Sequence, residues 1–131
     1  MQFKRSEGFR YSFPTALQAS FKILINGRAE SAYQPSYECL IHDISAHGMK
    51  LFCKESFGDL SNKMIQLEIY FTLDEVAIIA VGEIVWEKAY ANGKLYGLIF
   101  KNQPKLEDLI ISELKARRRK EVLETKNYNT F

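Results

Sequence analysis

Short runs of alternating apolar and polar residues, each closed by a turn signal, fill the first hundred residues of this chain. Leu17, Ala19, Phe21, Ile23 and Ile25 fall on one side of an extended chain, with Gln18, Ser20 and Lys22 on the other. That is the pattern of a half-buried strand over 17–25, and Asn26-Gly27 ends it. After a loop through Pro35, apolar runs predict strands over 37–44 and 48–53. Lys54 to Asn62 is polar and reads as loop; Ile65, Leu67, Ile69 and Phe71 then alternate against Gln66 and Glu68. Asp74-Glu75 turns the chain into a long run, Val76 to Glu87, and Asn92-Gly93 is a strong two-residue hairpin signal leading into Lys94–Phe100. Six strands joined by short turns predict an all-β fold, a small six-stranded antiparallel β-barrel.

Helix enters only after Pro104, where Leu106, Leu109, Ile110 and Leu114 share one helical face. Glu107 and Asp108 stand in its first turn and Arg117 to Lys120 come later, which complements the helix dipole. The expected organisation is a flexible basic arm (1–12), a barrel (13–103), a C-terminal helix (104–126) and a disordered tail (127–131).

Composition narrows the classes of function. A hydrophobic fraction of 47% with 17 aromatic residues in 131 indicates a single folded domain. No apolar stretch is long enough to span a bilayer, and residues 1–10 lack the apolar core of a signal peptide. The expectation is a cytoplasmic protein without membrane insertion, whose two cysteines, Cys39 and Cys53, are buried thiols. Cys39, His42, His47 and Cys53 carry metal-ligating types, but a spacing of three on a strand sends Cys39 and His42 to opposite faces, so no metal site is expected. His42, Asp43 and Ser45 hold the residue types of a hydrolase triad, yet alternation turns His42 away and no nucleophile elbow precedes the serine. No catalytic residues are therefore assigned, and the chain is read as a non-enzyme. The body, residues 11–100, has seven basic and ten acidic side chains, a net of −3, whereas both ends are basic. A general DNA or RNA binder more often carries positive charge across its folded surface; a basic arm suits a compact anionic ligand.

Between the second and third strands lies Asp43-Ile44-Ser45-Ala46-His47-Gly48. Asp43 and Ser45, two apart on an extended chain, project to one face and offer a carboxylate and a hydroxyl to one ligand edge. Gly48 permits a positive φ or a close backbone approach where the chain turns back. Upstream, Lys4-Arg5-Ser6-Glu7-Gly8-Phe9-Arg10 forms a basic arm; downstream, Tyr96-Gly97-Leu98-Ile99-Phe100 ends the barrel-like region.

An arginine-bearing arm, then Asp-Ile-Ser-x-x-Gly, then Tyr-Gly-Leu-x-Phe resembles the PilZ domain family of small bacterial β-barrels, many of which bind cyclic di-GMP. The resemblance implies a cyclic di-GMP receptor with no cofactor beyond that ligand. It implies ligand-binding roles for Arg5, Arg10, Asp43, Ser45 and Gly48. Guanidinium groups fork onto phosphate or onto guanine O6 and N7, and the carboxylate takes guanine N–H protons. The family run is Arg-Arg-x-x-x-Arg, and Ser6 stands here where its second arginine is expected. The implied output is contact with an unidentified downstream protein, with the C-terminal helix as the expected surface for any homo-oligomer. Two rival readings stand beside this one: a PilZ-type interaction module without nucleotide, and a small barrel binding single-stranded nucleic acid.

Overall fold

The structure, a computed structural model, describes residues 10–25, 28–29, 36–55 and 65–129. Seven strands precede one helix: β1 (Arg10–Ile25), β2 (Arg28–Ala29), β3 (Tyr37–Ser45), β4 (Gly48–Cys53), β5 (Ile65–Thr72), β6 (Ala77–Tyr90), β7 (Gly93–Ile99) and α1 (Pro104–Asn129). All pairings are antiparallel, in the order β2-β1-β3-β4-β7-β6-β5, and a further pairing of β1 with β5 closes the ring. The six expected strands are all present and wound into one barrel-like sheet. The seventh, β2, is a two-residue addition to the end of β1.

Alternation explains the core. Phe21, Ile41, Ile44, Leu51, Leu67 and Ile69 point into the ring and have no exposed surface. Each such side chain contributes about 1.5–3 kcal/mol relative to its exposed state. β1 begins earlier than the run from Leu17 suggests, because Tyr11 and Phe13 already alternate inward against exposed Arg10 and Ser12. Pro14 obscures this in the sequence. It falls where the β1–β3 register shifts, between Ser12 and Leu17, and such irregular positions tolerate a residue without an N–H. Residues 10–12, expected in the flexible arm, are thus strand; the rest of the arm lies outside the described residues.

Two boundaries also move. The hairpin between β6 and β7 turns on Ala91 and Asn92 rather than Asn92 and Gly93, since Tyr90 pairs with Gly93. Ala91 takes the left-handed φ of 49° there. The helix runs to Asn129, into the segment expected to be disordered.

α1 covers one end of the ring with Ile110 and Leu114, both fully buried. Buried Glu113 accepts the backbone N–H groups of Glu75 and Val76 at 3.1 and 3.0 Å. Arg117 donates to the Leu73 carbonyl at 2.8 Å and lies 5.0 Å from the centroid of the Phe13 ring. Tyr11 donates to Glu121 at 2.5 Å. Burial, followed by that carboxylate, raises the Tyr11 pKa.

Candidate ligand site on the outer wall

Two β-bulges build the site. In β3 and β4 the register runs Ile41 with Leu51, then Asp43 with Lys50, so His42 is the extra residue. Unbroken pairing would set Asp43 opposite Met49, which is buried in the core. The bulge sets it opposite Lys50 instead, on the outer wall. In β6 and β7 the register runs Ile84 with Leu98, then Trp86 with Gly97, so Val85 is the extra residue. The same slip turns Trp86 outward. A bulge commonly re-aims a side chain in this way beside a functional site.

The outcome is one row across five strands: Ser12 on β1, Asp43 on β3, Lys50 on β4, Gly97 on β7 and Trp86 on β6. The indole leans back over Gly97, where a Cβ would stand 2.1 Å from Trp86 Nε1. Only a residue without a side chain leaves room for that ring. With strands about 4.8 Å apart, the indole lies about 10 Å from Asp43, and Lys50 is between them.

Asp43 is buried within β3 itself rather than standing at an open corner, and its charge is matched twice. Arg10 Nη1 bonds Oδ1, and Lys50 Nζ is 3.4 Å from Oδ2. An unpaired carboxylate at this depth would be costly, and the two cations offset that cost. Ser45 lies two residues on along β3 and pairs with Gly48 across the turn. Its hydroxyl accepts the His47 backbone N–H at 3.3 Å. Gly48 serves close approach, since a Cβ there would be 2.2 Å from the Leu98 carbonyl oxygen. The turn is tied down on both sides. Phe100 N–H donates to the His47 carbonyl at 2.8 Å, and His47 Nδ1 is 3.3 Å from Glu107 in the first turn of α1.

Of the residues expected at a site, the structure brings Arg10, Asp43, Ser45 and Gly48 together; Arg5 lies outside the described residues. Arg10 pairs with Ser45 in the β1–β3 register, so it belongs to the wall and not to a loose arm. No sequence signal marks Lys50, and Trp86 reads there as a packing aromatic of a barrel strand, whereas the ring is 43% exposed. Nothing in a linear sequence marks a bulge at His42 or Val85; the first sets Asp43 opposite Lys50, and the second brings Trp86 onto the same row. His42 also departs from strict alternation: its ring sits among Phe52 and Tyr90, with centroids 6.4 and 5.8 Å away. Cys39 and Cys53 are free and buried. Burial above all, then the neighbouring Cys53, pushes the Cys39 thiol up to about 12. Among the described residues no group of His, Cys, Asp and Glu side chains is arranged to hold a metal ion.

One outer row of this closed ring thus carries a cation-flanked carboxylate and an exposed aromatic ring. The PilZ domain family model matches residues 2–116, and the chain belongs to that family. Its fold is similar to that of the PilZ domain of YcgR from Escherichia coli, solved with c-di-GMP. That likeness has a TM-score of 0.64 and 12% identity, and covers 90% of this chain and 95% of that one. It is similar also to a crystal structure of YcgR in complex with c-di-GMP from Escherichia coli, with a TM-score of 0.58 and 15% identity, covering 89% of this chain and 49% of that one. No protein of curated function matches the chain. No helix among the described residues is long and apolar enough to cross a membrane.

Proposed function

We propose that this chain is a cyclic di-GMP receptor whose site is the outer-wall row, and that it relays ligand binding to another protein by contact. The observation that carries the reading is Asp43, ionisable, outward and flanked by Arg10 and Lys50 on a row that ends in an exposed indole. A guanine edge presents adjacent N1–H and N2–H donors, which fit the two oxygens of one carboxylate. Arg10 then forks onto phosphate or onto guanine O6 and N7, joined by Arg5 from the preceding segment. Trp86 supplies a face on which a base can stack, about 1–3 kcal/mol per base. Membership of the PilZ family and the two YcgR structures with c-di-GMP support the choice of nucleotide.

A binding role rather than catalysis fits the same groups, in which Ser45 accepts from the His47 backbone and the His42 ring packs against aromatic neighbours. The rival is a PilZ module without nucleotide, and the Arg10–Asp43 ion pair favours it, since a carboxylate already satisfied by its own chain needs no ligand. Calorimetric titration with cyclic di-GMP, beside GTP and cyclic di-AMP, separates the two. Saturable heat with cyclic di-GMP alone supports the receptor; no heat with any of the three leaves the interaction module.

A further inference from the structure

Among the described residues Lys50 has one carboxylate partner, and it is the carboxylate that a guanine would take. Its Nζ lies 3.4 Å from Asp43 Oδ2, while Arg10 holds Oδ1. Two adjacent N–H donors of a guanine need both oxygens, so ligand entry at Asp43 evicts both cations. The neighbouring lysines differ. Lys94 and Lys101 pair with Glu87 and Glu83, carboxylates away from the Asp43 end of the row, and have cause to stay where they are.

An evicted ammonium beside a bound dianion has a nearer partner than bulk water. The Lys50 backbone is fixed by pairing with Asp43 on one side and Gly97 on the other. Its side chain therefore sweeps the wall between the carboxylate and the indole over Gly97. A ligand seated by one base on Asp43 and by another on Trp86 must lay its phosphates across that same stretch. We propose that Lys50 is a phosphate-binding residue of this site, handed from Asp43 to the ligand on binding. It thereby supplies the cation that the arm lacks at Ser6. The inference rests on the cyclic di-GMP reading given above.

The sign of one measurement decides it. If Lys50 only neutralises Asp43 in the empty site, its removal eases guanine entry and binding tightens. If Lys50 passes to phosphate, its removal weakens binding. Titration of the full chain with cyclic di-GMP at several salt concentrations, for the parent, Lys50→Met and Lys50→Arg, is expected to show Lys50→Met weaker by about tenfold or more, with a flatter salt dependence. Lys50→Arg should keep most of the affinity. Equal or tighter binding by Lys50→Met overturns the inference and leaves the receptor reading intact. Weaker binding with the parent's salt dependence also overturns it, because Lys50 would then act only by holding Asp43 in place. A parent that gives no heat overturns the receptor reading and this inference together. Lys50 is more than one-third exposed, so thermal unfolding of the variants should match the parent and confirm that they fold.

Discussion

Gly97→Ala tests the aromatic plate without touching a charge. The added Cβ would lie 2.1 Å from Trp86 Nε1 and 2.2 Å from Cε2. Ordinary contact needs 3.4 Å or more, so something must yield by over an ångström. The β7 backbone is held by pairing to Lys50 on one side and Trp86 on the other, whereas the indole is already 43% exposed. The indole is the part that lifts. Stability should fall by only about 1 kcal/mol or less, as for an overpacked site with a free exit. Binding should lose the stacking surface, about 1–3 kcal/mol, or roughly fivefold to a hundredfold in affinity. Calorimetry with cyclic di-GMP reads the affinity, and emission from the single tryptophan reports the displaced ring. Shifted emission with unchanged affinity would show that the indole takes no part in binding. Unchanged emission would refute the packing of Trp86 on Gly97 itself.

Gly48→Ala should act in the opposite manner, because its Cβ would meet backbone, the Leu98 carbonyl at 2.2 Å. A loss of about 1–3 kcal/mol in the urea unfolding free energy is expected, and an unchanged midpoint would refute the close approach of β4 and β7. Asp43→Ala should weaken cyclic di-GMP binding by about 1.5–3 kcal/mol while the exposed ends of Arg10 and Lys50 rehydrate and the fold persists. Retained affinity would show that the carboxylate merely tethers Arg10. For Cys39, pushed up to about 12 by burial, the unfolded thiol ionises near its usual 9.0 while the folded one does not. This contribution to stability is complete below the unfolded value and is lost as pH rises toward the folded one. The urea midpoint should therefore decline from about pH 9 upward, less steeply in Cys39→Ala, and a decline of equal slope in both would assign the effect elsewhere.

The sheet was legible wherever burial alone sets the pattern. Phe21, Ile23, Ile41, Leu51, Leu67 and Ile69 declare their faces by alternation, and the helix declares its own through Ile110 and Leu114. Tyr11 and Phe13 alternate just as well, but Pro14 reads as a boundary until a register shift gives it a place. The site was legible as chemistry and not as geometry. Asp43, Ser45 and Gly48 could be picked out because three special residue types crowd one turn. The companions of Asp43 on the row could not, because one extra residue in β3 sets Asp43 opposite Lys50 and one in β6 turns Trp86 outward. A bulge is a decision about register, made by long-range pairing, and no local propensity records it.

Closure of the ring also governs how other molecules can meet this chain. β1 pairs with β3 along its first part and with β5 along its last, so the ring satisfies most of its own main-chain donors and acceptors. Where β1 has not yet met β5, α1 lies alongside, with Arg117 bound to the Leu73 carbonyl and Tyr11 to Glu121. Among the described residues the sheet keeps a short open edge on β6, which pairs with β5 only through Ala77–Glu83 and from Trp86 to Tyr90 pairs with β7 alone. A partner that recognises its target by adding a strand is thereby confined, among the described residues, to that short stretch of β6, where Glu87 and Lys88 place charge along the edge. Elsewhere recognition has to pass through side chains on the wall or the helix.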